Sequence, residues 1–257
     1  MAERPHLARH VTGGEPVLLL LHGLGATGEV WQGLLERNWP GEVLAPDLPG
    51  HGRSPELPEY TFESMTAAVA TLLTPGRQVV VLGHSLGGVL GLELASGAYG
   101  IDVTSVCAVG IKLRWSEEEL SRAAALAAKP ARVFATRDEA VDRWLKVSGL
   151  AGLVAPDSPR VAAGVAETDG GWRVRVDQRA FGVGAPNVPA LLDAAKARTM
   201  LTAGEHDQMC PPEHLHEVMP DAVVLPGVGH NVHVENPLIL WPILDRLLAS
   251  ATAHLGQ

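Results

Sequence analysis

Ser85 sits in the string Gly83-His84-Ser85-Leu86-Gly87, with a glycine two residues to either side. A serine hydroxyl is a weak nucleophile until a base takes its proton. His230, in Pro226-Gly227-Val228-Gly229-His230, is the candidate base. The carboxylate that would hold its ring is Asp207, in Ala203-Gly204-Glu205-His206-Asp207, with Glu205 as the alternative. Nucleophile, acid and base then run in the chain order Ser85, Asp207, His230, and the chemistry they could perform is acyl transfer. His233 is a rival base, but Val232 and Val234 flank it and point to local packing. His84 adjoins the nucleophile and reads as a packed neighbour. Attack on a carbonyl builds charge on its oxygen, which preformed N–H donors stabilise. The backbone N–H groups of Leu86 and Leu24 are the candidate donors, Leu24 lying in the glycine-bearing stretch His22-Gly23-Leu24-Gly25.

These residues need elements to hold them, and the apolar pattern supplies those elements. Residues 16–21 (PVLLLL), 78–82 (QVVVL) and 103–109 are short apolar runs, the mark of strands buried on both faces, and 42–45 is a shorter fourth. Helical spacing at Phe62, Met65, Val69 and Leu72 predicts a helix over 61–73 with Thr61 as its N-cap, and 86–96 reads as another. Alternating strands and helices imply a mostly parallel sheet covered on both sides. Ser85 falls where strand 78–82 turns straight into a helix, which drives the central residue into a strained conformation and presents its side chain. Two further strands, 199–203 and 222–225, precede Asp207 and His230, and a helix over 236–248 with Pro237 in its first turn closes the chain.

Between 112 and 185 the rhythm changes. No buried-strand run appears, while Ser116 with Glu119 and Thr136 with Glu139 form capping boxes that predict two helices. Residues 172–177 (WRVRVD) alternate and could be extended. This divides the chain into a sheet-bearing part, 1–111 and 186–257, and a mainly helical insert, 112–185. Trp115, Trp144 and Trp172 all fall in the insert, as candidates to line an apolar substrate pocket or to pack it together. Lys112 and Arg114, at its start, read as solvated charges. Lys and Arg outnumber Asp and Glu in the insert, so the acidic excess lies elsewhere.

The 257 residues carry 46% hydrophobic and 19% charged side chains and a net charge of −9, the profile of a globular protein with a substantial core. The acidic balance, with no Lys/Arg run, argues against nucleic acid as a partner. No apolar stretch approaches the length of a membrane helix, and residues 1–10 are polar, without the apolar stretch of a signal peptide. Cys107 and Cys210 lie far apart and read as reduced thiols of a cytoplasmic protein. The histidines at 206, 214, 216, 230 and 233 make no zinc-type spacing, so neither metal nor cofactor is expected. The expected partner is a small-molecule substrate, and the chain would act as a monomer or homodimer.

His22-Gly23 after a buried strand, the segment Asp47-Leu48-Pro49-Gly50-His51-Gly52-Arg53-Ser54, the Gly83–Gly87 elbow, Asp207 and His230 together resemble the α/β-hydrolase superfamily over nearly the whole chain. The resemblance implies the fold of that name, a structural turn at Asp47–Ser54, and a helical cap formed by 112–185 over the site. It also implies a serine hydrolase. A carboxylic ester or lactone is the first substrate expectation, while carbon–carbon bond hydrolysis of a dicarbonyl compound, amide hydrolysis and cofactor-free perhydrolysis occur on the same scaffold. Some proteins of this type are slow-turnover ligand receptors. Relatives that open haloalkanes or epoxides carry Asp where this chain has Ser85.

Overall fold

A computed structural model describes residues 3–253. The strands and helices of the first part are β1 (Leu7–Val11), β2 (Gly14–Leu21), β3 (Gly41–Pro46), α1 (Phe62–Ala70), β4 (Gln78–His84), α2 (Leu86–Leu94) and β5 (Asp102–Val109). The middle of the chain holds α3 (Glu117–Ala127), β6 (Val133–Phe134), α4 (Arg137–Val147), β7 (Val165–Thr168) and β8 (Gly171–Val174). The last part contributes α5 (Val188–Ala194), β9 (Arg198–Gly204), α6 (Pro212–Val218), β10 (Val223–Leu225), α7 (Val232–Glu235) and α8 (Trp241–Ala253).

Seven strands form one sheet in the order β1-β3-β2-β4-β5-β9-β10. All neighbours are parallel except β1, which runs antiparallel to β3 at the edge. This is the α/β-hydrolase fold. The apolar runs explain why the central strands lie where they do. Leu18 and Leu20 of β2 pack on one face with Val80 and Leu82 of β4 and with Leu244 and Leu247 of α8. Leu19 and Leu21 pack on the other, with Val79 and Val81, Met65 of α1 and Leu90 of α2. Each such side chain taken fully out of water contributes roughly 1.5–3 kcal/mol. The parallel sheet therefore holds rigidly the strand ends from which the site is built.

Three expectations change. The edge strand β1 has no apolar run to reveal it, because residues such as Arg9 and His10 leave it half exposed. The closing helix begins later than expected: Pro237–Leu240 form a 3-10 turn and α8 starts at Trp241. Pro242 has no N–H to donate and crowds the carbonyl a turn earlier, so the regular helix can only begin there. The insert is not only helical. β6, β8 and β7 form a three-stranded antiparallel sheet in that order. Its strands are short and half exposed, so they carry no buried-strand signature. Both capping boxes form as the sequence predicts, at Ser116 and at Thr136.

The insert returns to the sheet-bearing part beside the Asp47–Ser54 turn. Gly52 donates to the Arg175 carbonyl at 2.9 Å, and Asp177 donates to the Gly50 carbonyl at 2.7 Å. Tyr60 donates its hydroxyl to Asp177 at 2.8 Å, and Arg179 bonds both Asp177 and the Pro58 carbonyl. Asp47 is buried, its carboxylate accepting from the N–H groups of Gly28 and Arg53. It organises the turn and lies apart from the cavity described below.

Candidate active site

Ser85 stands between β4 and α2 with φ 50° and ψ −116°, and it is the one non-glycine residue at positive φ among those described. A backbone held there costs on the order of 1–3 kcal/mol, tolerated where surrounding structure imposes it. The imposition is visible. A Cβ on Gly83 would lie 2.2 Å from the Gly87 carbonyl oxygen, and one on Gly87 would lie 2.3 Å from that of Leu21. Only glycines let the strand fold back this tightly on the helix. The Ser85 N–H is fixed by the Val109 carbonyl of β5 at 2.8 Å.

His230 and Asp207 come from the loops after β10 and β9. His230 Nδ1 lies 2.9 Å from Asp207 Oδ2. The Asp207 side chain is fully buried, and its other oxygen accepts from the N–H groups of Met209 and Cys210 at 2.8 and 3.0 Å. Those bonds hold the carboxylate aimed at the His230 ring. Glu205, the alternative acid, turns away and accepts from the Gly227 N–H. Ser85 and His230 line one cavity of about 580 Å³, with Leu24, Leu86 and a mostly apolar wall that includes Phe62, Ile111, Trp115 and Phe181. Among the described residues the Leu24 and Leu86 N–H groups have no protein acceptor, and both residues line that space.

Histidines buttress the arrangement. His22 Nε2 accepts from the Leu48 N–H, which places the proton on Nδ1, where it meets the Gly23 carbonyl at 2.8 Å. Burial pushes its pKa down to about 4, against the raising effect of that bond, so the ring stays neutral and pins the loop carrying Leu24. His84 is buried, with Nε2 3.0 Å from the His230 carbonyl oxygen, and it stacks near both His230 and His233. Burial first, then the neighbouring imidazoles, hold its pKa well below the ordinary value. His233 packs between Trp31 and His84, and burial takes it to about 3. His84 and His233 are thus neutral packing groups. Both cysteines are free and buried, with burial raising each thiol to about 12, and are inert as nucleophiles at neutral pH.

Several positioning residues escape a reading of the sequence alone. Glu235 accepts from the N–H groups on either side of His230, Gly229 at 2.7 Å and Asn231 at 3.0 Å. Its signal was present as a carboxylate one helical turn beyond the histidine loop. Gly110, at φ 63°, lets the end of β5 lie against the acid–base pair: a Cβ there would meet Asp207 Oδ2 at 3.0 Å and His230 Nδ1 at 3.3 Å. Asn231 donates its side-chain amide to the Gly149 carbonyl at 2.9 Å, tying the histidine loop to the insert.

The tryptophans divide. Trp115 lines the cavity, its indole N–H donating to the Lys112 carbonyl. Trp144 and Trp172 do not line it, which corrects their assignment as pocket residues. Trp144 is fully buried against Gly164, and Trp172 sits in β8 packed on the same core. Both carry large apolar surfaces that the small insert needs to bury for itself. Lys112 and Arg114 are paired with Glu119 and Glu217.

Residues 18–240 match the Alpha/beta hydrolase family, and the chain belongs to it. It is 37% identical over 93 residues to lipase LipV of Mycobacterium tuberculosis, covering 35% of this chain and 36% of that protein. It is 36% identical over 92 residues to a pimeloyl-[acyl-carrier protein] methyl ester esterase of Methylococcus capsulatus, covering 35% of each. The match thus spans about a third of the length of these curated relatives. Whole-chain likeness in fold is clear from E-2-(acetamidomethylene)succinate hydrolase, with TM-score 0.75 and 22% identity over 97% of this chain and 99% of that one. An esterase from Thermogutta terrifontis gives TM-score 0.69 and 20% identity over 98% and 99%. Among the described residues no helix is long and apolar enough to cross a membrane.

Proposed function

We propose that this protein is a serine hydrolase cleaving a carboxylic ester, or a lactone, of a small apolar or aromatic compound through an acyl-enzyme on Ser85. The observation that carries the reading is the strained Ser85 at the mouth of an apolar cavity shared with a His230 whose other ring nitrogen is held by buried Asp207. The lipase and esterase relatives support the same class.

In this reading Asp207 keeps the His230 proton on Nδ1, leaving Nε2 to take the proton of Ser85 as its oxygen attacks the carbonyl. The developing oxyanion is met by the Leu24 and Leu86 N–H groups, aided by the positive end of α2. His230 then returns its proton to the departing alcohol. Water, deprotonated by the same ring, releases the acid and restores Ser85. Asp207 remains ionised throughout and stabilises the imidazolium. Segment 112–185 acts as a cap whose Trp115 shapes the apolar end of the site. The apolar cavity accommodates the acyl or aryl group of the substrate.

The test is active-site labelling. A fluorophosphonate probe should modify the protein and release of 4-nitrophenol from a short-chain ester should continue over many turnovers. Ser85→Ala should lose both, with turnover falling at least about a thousandfold. Labelling that persists in the variant removes Ser85 as the nucleophile. A single turnover with retained product would instead identify a receptor.

A further inference from the structure

A second cavity, of about 450 Å³, opens within the insert. It shares Val147 and Phe181 with the cavity at Ser85, so the two spaces adjoin at those residues. Its chemistry is different. Lys129, Arg132 and Arg143 line it, and no acidic residue does. Among the described residues none of these three cations has a carboxylate partner, whereas Lys112 and Lys146 at the neighbouring cavity are paired with Glu119 and Asp142. Arg132 is held in place by stacking on Phe134, its guanidinium carbon 4.7 Å from the ring centroid. Three unneutralised cations around one hollow repel one another, and an anion there relieves that repulsion. They also sit on the less acidic part of a protein of net charge −9, which gives the insert a local field that attracts anions. Guanidinium groups suit carboxylate and phosphate because the planar fork meets two oxygens at once.

We infer that the second cavity takes an anionic end, carboxylate or phosphate, of the same molecule whose ester lies at Ser85, with its apolar middle passing Val147 and Phe181. The inference rests on the reading of Ser85 as the reacting group. On it, the substrate is an amphiphile: apolar at the reacting end, where the wall is Leu24, Phe62 and Trp115, and negatively charged at the far end. Neutral esters would still be hydrolysed, without the help of the distal contact.

The experiment measures binding and turnover separately. Three medium-chain 4-nitrophenyl esters of equal length, ending in methyl, carboxylate or phosphate, are titrated calorimetrically into Ser85→Ala protein, which binds without consuming them. The carboxylate or phosphate ester should bind about tenfold more tightly than the neutral one, and adding Arg132→Ala and Arg143→Ala should abolish that preference. The Lys pair at the same positions should recover part of it. A preference for one anion alone names the source, carboxylate or phosphate. In the otherwise unmodified protein inorganic phosphate should raise the KM of the favoured anionic ester and leave that of the neutral ester unchanged, a measurement independent of any variant's folding. Equal binding of all three esters, or equal weakening of all three by the arginine changes, overturns the inference. Absence of Ser85-dependent turnover on any ester would instead strike the proposed reaction, while the calorimetry still reports on the cavity.

Discussion

The sheet-bearing part and the insert solve different problems. In the former, function is placed by backbone geometry: Ser85 by a turn only glycines permit, Asp207 by two N–H donors, His230 by a carboxylate on each flanking N–H. In the insert, side chains do the work, with Trp144 filling its interior, Trp115 facing one cavity and basic residues facing the other. The histidines divide the same way: all 11 lie outside 112–185. On the proposed function, the contrast assigns reactivity to the frame, which any substrate would meet, and much of the selectivity to the inserted surface, which only some substrates would touch.

The sharpest way to break this division is Asp207→Asn. The geometry would survive, but His230 would lose the partner that fixes its tautomer, and turnover should fall by about ten-thousandfold on every ester alike. Steady-state kinetics with small and bulky esters decides it. A loss confined to bulky esters would mean that Asp207 serves the pocket instead. Next in size is Trp115→Ala, which removes an aromatic wall from the cavity. KM for an aryl-chain ester should rise about tenfold, in line with roughly 1.4 kcal/mol of lost burial, while kcat on an acetate ester stays within about twofold. A matching fall in kcat on acetate would place part of the reactive machinery in the insert.

The remaining effect concerns acid. His22, His51 and His233 are buried and neutral, their pKa values brought down by burial from 6.5 to about 4, 3 and 3. Their folded-state values lie below the unfolded one. As pH falls below about 6.5 the unfolded chain takes up protons that the folded chain refuses, so stability is lost progressively toward pH 3–4. Each can contribute at most about 1.4 kcal/mol per pH unit across that window. Urea midpoints should drop between pH 6.5 and 5, before the carboxylates titrate, and a flat profile there would show that these rings ionise in place. With no histidine of its own, the insert should lose hydrogen-exchange protection over that range only as the frame beneath it opens.

The frame was legible in the sequence because its forces are periodic and local. PVLLLL and QVVVL can only be strands covered on both faces, and a glycine-flanked serine between strand and helix has few other conformations. Capping boxes were legible for the same reason, each being settled within four residues. What escaped depends on contacts distant in sequence. Glu235 acts by bracketing His230, Gly110 by clearing space for two side chains from other loops, and Trp144 by filling an interior assembled from several pieces of the insert. A tryptophan carries the same signal whether it lines a cavity or fills a core, so Trp115 could not be told from Trp144 or Trp172 without the fold. The edge strand β1 and strands β6 and β7 of the small sheet were missed because half-exposed strands leave no continuous apolar run, while β8 showed only as the alternation in 172–177.

At three points of the seam the insert bonds through its main chain: the Arg175 carbonyl to the Gly52 N–H, the Asp177 N–H to the Gly50 carbonyl, and the Gly149 carbonyl to the side-chain amide of Asn231. Every residue type but proline carries both peptide groups, so substitutions at Gly149, Arg175 and Asp177 leave those three bonding groups in place. On the proposed reading, grafting a foreign segment between residues 112 and 185 is a practical route to new selectivity, provided the graft presents carbonyls where Gly149 and Arg175 stand and an N–H where Asp177 stands.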